Sequence, residues 1–214
     1  MVGYKITRTQ RKREQTIAEY VAVPPAVLYD IGVGAKTEWK FLPEVWPKLQ
    51  VIGVEPNPEQ CRTLKINGFR GELHPVALGI EPGIRPLYLT PGHPNTSSFF
   101  RTATATHAID VAVWTLEHLD AISGRPERIL IWMDAEGAEL EILQSGSDLL
   151  RSGRVRWLNL EVRDTTPAAG WPSAQQIHDH LTALDYLRVV EYGHCHSHRD
   201  VIYRHKSARQ RKQR

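Results

Sequence analysis

Cysteine is almost absent. Cys61 and Cys195 are the only two in 214 residues, so no disulfide framework can be built and the chain suits a reducing compartment. No stretch approaches the roughly 18 apolar residues that a membrane span needs. The start carries the basic run "RTQRKRE" in place of an apolar leader, so neither insertion nor secretion is expected. Aromatic residues are only 8% of the chain, and none interleaves with the basic termini as a stacking platform for single-stranded nucleic acid would require. Lys5, Arg8, Arg11, Lys12 and Arg13 at one end, and Arg204, Lys206, Arg209, Arg211, Lys212 and Arg214 at the other, therefore read as solvated tails. Nucleic-acid contact through them is the alternative. No internal repeat is present. What remains, 41% hydrophobic and 24% charged residues, is the composition of an ordinary soluble domain, here expected to be cytoplasmic. The division expected is a basic extension over 1–20, one globular domain over 21–205 and a basic tail over 206–214; oligomeric state is left open.

Four apolar runs read as buried strands: "AVLYDIG" (26–32), "VIGVEP" (51–56), "RILIWMD" (128–134) and "RVRWLNLEV" (154–162). "ELHPVALG" is a weaker strand and "IRPLYLTP" an extra one. Between them lie helical patterns. "KTEWKFLPEVWPKL" must break at Pro43 and Pro47. "NPEQCRTLKING" has Asn57 as N-cap, Pro58 in the first turn and Gly68 as stop. "AELEILQSGSDLL" reads as one helix, and "SAQQIHDHLTALD" as another capped by Ser173. "YLRVVEYG" and "DVIYRH" close the chain as an antiparallel hairpin. Strand and helix alternating in this way predict an α/β fold, a mostly parallel sheet with helices on both faces, whose ligands sit beyond the carboxyl ends of the strands.

The residues that carry chemistry gather at those ends. Asp30 precedes Gly32 and Gly34, while Thr37 stands where a dinucleotide fingerprint needs its third glycine. An acid before the glycines suits a ligand with a positive end, such as the amino group of S-adenosylmethionine. Glu55 ends the second strand, where a carboxylate can accept from both hydroxyls of a ribose. In "IWMDAEGAELEIL" (131–143) a buried strand turns into a helix across Asp134, Glu136 and Glu139. Glu139 reads as a first-turn acid favoured by the helix dipole. In "GHCHSH" (193–198), His194, His196 and His198 could supply a base or metal ligands. His178 and His180 do not share a helix face and read as surface residues, and Trp171 reads as part of a loop lid.

On "LYDIGVG", "VIGVEPNPEQCRTL", "HPVALG", "TSSFF", "VWTLEHLD", "ILIWMDAEGAELEILQSG", "LNLEV" and "DVIYR", the chain resembles the FkbM family of S-adenosylmethionine-dependent methyltransferases over about residues 26–204. "MDAEGAELEIL" is the most specific of these stretches. The resemblance implies the class I methyltransferase (Rossmann-like) fold, a seven-stranded sheet ending in an antiparallel hairpin, and methyl transfer to a hydroxyl of a small molecule or carbohydrate. By position it places Asp30, Gly32 and Gly34 along the methionine and ribose, Glu55 on the ribose and Asn57 beside the adenosine. Ala77 and Leu78 would neighbour the adenine, and Ser97 and Ser98 would close over the cofactor. Asp134 would lie beside the reacting methyl. Asp134, Glu161 and His196 are the catalytic candidates. The carboxylate pair Asp134 and Glu161 would also serve a divalent cation such as magnesium. Where the family has asparagine and a last glycine, this chain has Gly34 and Lys36, so the methionine end is expected to be held differently. The rival readings are a nicotinamide-dependent oxidoreductase and a catalytically silent binding protein that uses its basic tails.

Overall fold

The computed structural model describes residues 17–90, 92, 96–165, 167–193 and 198–209. The expectations for His194, Cys195 and His196 fall outside these residues.

Five strands form the parallel part of the main sheet: β1 (Val27–Ile31), β2 (Gln50–Val54), β3 (Glu72–His74), β7 (Ile129–Met133) and β8 (Val155–Arg163). β9 (Tyr186–Tyr192) and β10 (His198–His205) complete it in the order β3-β2-β1-β7-β8-β10-β9. Every pairing is parallel except the two that β10 makes, with β8 and β9. All five residues of β1 and all five of β7 are buried, as a parallel strand covered on both faces requires.

Alternate side chains feed two cores. Tyr29, Ile31, Ile131, Met133, Leu158 and Leu160 meet Leu116, Ile142 and Leu181 on one face. Leu28, Leu130, Trp132, Trp157 and Ile202 meet Leu42, Trp46 and Ile17 on the other. Ile17 and Val21 are completely buried, so core packing begins within the stretch expected to be extension.

Helix α1 (Leu42–Val45) is a single short turn, because Pro47 stops it where the sequence predicts a break. In α2 (Pro58–Ile66) the Asn57 side chain accepts from the Glu59 N–H at 3.0 Å. α3 (Leu116–Ile122) is capped by Thr115 and α6 (Ala174–Ala183) by a full Ser173/Gln176 capping box. The helix read over 138–150 is in fact two, α4 (Glu139–Ser145) and α5 (Ser147–Arg151). Gly146 separates them and lets α3 approach, since a Cβ there would lie 2.5 Å from Leu116 Cδ2.

A second, three-stranded sheet pairs β4 (Ala77–Leu78) with β6 (His107–Trp114) and β6 with β5 (Gly83–Leu89). The stretch read as one weak strand, "ELHPVALG", is divided: its first part joins the main sheet as β3 and its last part enters this smaller one as β4.

One buried ion pair locks the amino ends of the central strands. Arg154 donates through Nη1 at 2.8 Å and Nη2 at 2.5 Å to the two oxygens of Asp120, which is 2% exposed, and Tyr29 donates to the same carboxylate at 3.4 Å. Removing one partner strands the other charge in the core. Arg154→Met is expected to lower stability by about 3 kcal/mol in urea unfolding, whereas the double variant Arg154→Met/Asp120→Asn should recover part of the loss.

Candidate active site

The chain reverses its direction of travel across the sheet between β1 and β7, and a crevice opens there at the strand ends. The two ends are held close. The Asp134 N–H donates to the Ile31 carbonyl at 3.0 Å, and the Gly32 N–H to Val54 at 2.9 Å. Gly32 has φ +81°, and a Cβ there would stand 1.9 Å from the Asp134 carbonyl oxygen, so only glycine fits. The crevice has a volume of about 550 Å³ counting its open mouth.

Gly32, Gly34, Glu55, Ala77, Leu78, Ser97, Ser98 and Asp134 all line it. Leu87 and Phe99 complete an apolar wall on the side of the small sheet. Ser98 pairs with Tyr88 through both backbone hydrogen bonds, donates its hydroxyl to the Glu136 carbonyl at 2.6 Å and accepts from the Phe100 N–H at 3.0 Å. That loop is thereby pinned across the crevice.

Two predicted cofactor residues are placed elsewhere. The Asn57 side chain is spent on the cap of α2. Asp30 is 4% exposed and accepts from the Trp39 indole N–H at 2.5 Å, away from the crevice lining. Burial pushes its pKa up to about 7, against the pull of that indole bond.

Glu55 shows how a carboxylate is held at this edge. Its Oε2 accepts from the Gly34 N–H at 2.7 Å and its Oε1 from the Asn57 N–H at 2.8 Å. Burial drives its pKa up to about 7, and these two N–H groups limit the rise. Each oxygen keeps a second lone pair for a ligand.

The acids of the β7 turn separate into distinct tasks. Glu139 folds back to accept from the Ala135 N–H at 2.9 Å and the Gly137 N–H at 3.0 Å, which fixes the turn into α4. Glu136 adopts φ +46° and accepts from Arg163 Nη2 at 3.0 Å. The same guanidinium lies 3.2 Å from Glu161 Oε1, and His198 Nε2 lies 4.0 Å from Glu161 Oε2. Asp134 lines both the crevice and a small adjoining pocket bounded by Glu161, Arg163 and Trp171. Its pKa is raised well above the ordinary carboxylate range, first by burial and then by the charges of Glu161 and Glu136. Burial likewise lifts Glu161 to about 7, with Arg163 pulling the other way.

Arg163 was missed in the sequence, although it stands two residues from Glu161 and so shares its strand face. Trp171 is 7% exposed and packed, with its ring centroid 5.9 Å from Phe100. The ring covers Gly137, where a Cβ would lie 2.7 Å from Trp171 Cδ2. His178 and His180, read as surface residues, are half-buried: His178 stacks 6.1 Å from Tyr203, and burial lowers the pKa of His180. Helix α6 packs on α4 and β9, which covers both rings. Lys36 lines a different cleft and leaves the crevice open. Among the described residues, no group of three or more His, Cys, Asp or Glu is placed to hold a metal ion. No helix of the described residues is long and apolar enough to cross a membrane.

The raised carboxylates make stability depend on pH. Asp30, Glu55 and Glu161 have folded pKa values near 7, above the ordinary carboxylate values of 3.8, 4.5 and 4.5, so the folded state holds their protons more tightly. Their stabilising contribution is full below about 4 and is lost as pH rises through 7. The melting temperature of the ligand-free protein is expected to fall between pH 5.5 and pH 7.5, and to fall less in Glu161→Gln, by differential scanning calorimetry.

No curated protein sequence matches the chain. Solved structures show the same architecture at low identity. A TehB-like S-adenosylmethionine-dependent methyltransferase from Corynebacterium glutamicum ATCC 13032 Kitasato superposes with a TM-score of 0.50 at 11% identity, over 95% of this chain and 90% of that one. The precorrin-6y C5,15-methyltransferase from Geobacter metallireducens GS-15 gives 0.51 at 13% identity, over 97% and 93%. The sheet is therefore the seven-stranded class I methyltransferase sheet with its terminal antiparallel hairpin. The model of the methyltransferase FkbM domain matches residues 30–188, well over half of the chain. By that match the chain belongs to the FkbM methyltransferases, enzymes whose methyl donor is S-adenosylmethionine.

Proposed function

We propose that this methyltransferase acts on a hydroxyl of a small molecule or carbohydrate. The observation that carries the reading is the pair Asp134, which lines the crevice, and Glu161, on the neighbouring parallel strand in the small pocket adjoining it, both with carboxyls that burial raises above their ordinary range. A base tuned near neutrality suits removal of a hydroxyl proton.

The residues of the crevice fit the donor. Glu55 accepts from the ribose hydroxyls through the lone pairs that its backbone partners leave open, and Ala77, Leu78 and Leu87 wall the adenine. Gly32 and Gly34 let the backbone come close, and Ser97 and Ser98 bound the far side. Asn57 and Asp30 act indirectly, through the α2 cap and the Trp39 bond. S-adenosylmethionine supplies an electrophilic methyl group on a positively charged sulfur. With that donor bound, Asp134 would compensate the sulfonium charge and Glu161 would take the proton of the acceptor hydroxyl. Arg163 favours the ionised form of Glu161 and fixes its direction. Because Glu161 is already paired with Arg163, proton removal is favoured over magnesium binding by Asp134 and Glu161. His196 stands outside the described residues and is kept as an alternative base.

Thermal shift with S-adenosylmethionine, S-adenosylhomocysteine and NAD tests the donor site. Either adenosyl ligand at a hundred times its dissociation constant should add about 2.7 kcal/mol, seen as a rise of several degrees. NAD should add nothing, and Glu55→Ala should lose most of the rise. No shift with either adenosyl ligand would overturn the reading. Once an acceptor hydroxyl is in hand, kcat should climb between pH 6 and pH 8, and Glu161→Gln should lower it by about a hundredfold or more.

A further inference from the structure

A larger cleft lies on the other side of the glycine turn. Gly34 lines the cofactor crevice, and the next residue, Ala35, lines this second cleft. Its volume is about 1010 Å³ counting its open mouth, nearly twice that of the crevice. Its walls come from the turn after β1, from α1 and from the end of α2.

The chemistry of the two clefts is opposite. The crevice carries Glu55, Asp134 and Glu136 with no lysine or arginine among its lining residues. Among the described residues, the second cleft carries Lys36, Lys40 and Arg70 and one carboxylate, that of Glu44. Lys36 and Arg70 are exposed and make no ion pair with any described residue. Two cations on a concave surface, Lys36 and Arg70, with no carboxylate partner among the described residues raise the local concentration of anions and leave donors ready for phosphate oxygens. Behind them stands an aromatic floor, Trp39 edge-on to Phe69 with centroids 5.9 Å apart. Trp39 is 2% exposed, which leaves little ring face for stacking, so the charged rim and not the floor sets the affinity.

The cleft is also wired to the crevice. Trp39 donates to Asp30 on β1, and Lys36 stands two residues from Gly34, whose N–H holds Glu55. From this geometry we infer a second ligand site that takes the phosphate group of a phosphorylated small molecule on Lys36 and Arg70. The inference does not depend on which acceptor is methylated. The site explains why lysine stands in the glycine turn, at a position where it leaves the cofactor crevice open. A ligand held there rests on the turn that positions Glu55, so its binding and that of the donor are linked and must be reciprocal.

Isothermal titration calorimetry on the full chain tests this, with the cofactor crevice kept saturated by S-adenosylhomocysteine so that adenine compounds cannot enter it. The probes are inorganic phosphate, AMP and the uncharged control adenosine. Phosphate and AMP should bind, adenosine should not, and Lys36→Ala/Arg70→Ala should weaken binding at least tenfold. AMP alone binding means that the phosphate comes with an organic part; phosphate binding equally well means that the anion suffices, and both outcomes uphold the site. Retained S-adenosylhomocysteine affinity in the double variant shows that it is folded. Absence of binding by both anions, or binding that survives the double substitution, would overturn the inference, as would binding of a single-stranded RNA oligonucleotide without either small anion. Failure of S-adenosylhomocysteine to bind the unaltered protein would strike the donor reading instead. Phosphate and AMP titrated without it would then decide the second site, with AMP binding required to vanish in the double variant.

Discussion

The close approach of two strand ends, Gly32 of the first turn against the Asp134 carbonyl of the other, is the constraint from which the rest of the site follows. A Cβ at Gly32 would overlap that carbonyl, so the two turns can part only above this point of contact. Below it the strands are in parallel register, Ile31 against Met133, and fully buried. Above it the chain diverges toward Glu55 on one side and toward Glu136 on the other, and the crevice is the space between. The position of this gap is a property of the sheet topology. Its chemistry is a property of the half-dozen residues that the topology brings to its rim.

That rim is acidic, and an acidic rim out of water needs compensation. The structure meets the need separately for each group. Backbone N–H groups hold Glu55 and Glu139, an indole holds Asp30, and one guanidinium serves both Glu136 and Glu161. Asp134 is raised first by its burial and then by the charges of Glu161, Glu136 and Glu139, so its proton is held well above the ordinary carboxylate range. A positively charged ligand in the crevice reverses that balance. The carboxylates that burden the empty protein as pH rises are those that a sulfonium and an ammonium group would stabilise, so fold stability and donor binding draw on the same electrostatics.

The central strands were plain in the sequence because burial on both faces leaves an unbroken apolar run, as in "VLYDI" and "ILIWM". The helix caps were plain because Asn57 and Ser173 satisfy orphan N–H groups locally. β6 was harder to see. It is covered on one face only, so Val111 and Val113 alternate with exposed residues across "HAIDVAVW", a period-two signal spread over a polar stretch. The division at Gly146 depends on Leu116, thirty residues away, and no local rule reports it. The same distinction runs through the site. Glu55 was legible from strand order and spacing, whereas Asp134 and Glu161 were placed at the strand ends through the family resemblance. Asp30 and Asn57 were not legible, because each was claimed by a neighbour, Trp39 and the α2 backbone, whose arrival depends on tertiary packing.

The turn after β7 joins the two halves of the site. Gly137, at φ +101°, lies under the Trp171 ring with no room for a side chain, and Phe100 packs on the same ring from the loop that closes the crevice. Ser98 in that loop donates to the backbone of Glu136, and Glu136 in turn pairs with Arg163 beside Glu161. A ligand pressing on Ser97 and Ser98 therefore acts on Trp171 through Phe100 and on Arg163 through Glu136, two routes of direct contact. After β8, Asp164 pairs with Arg199 of β10, and Trp171 is held against Gly137 and Phe100.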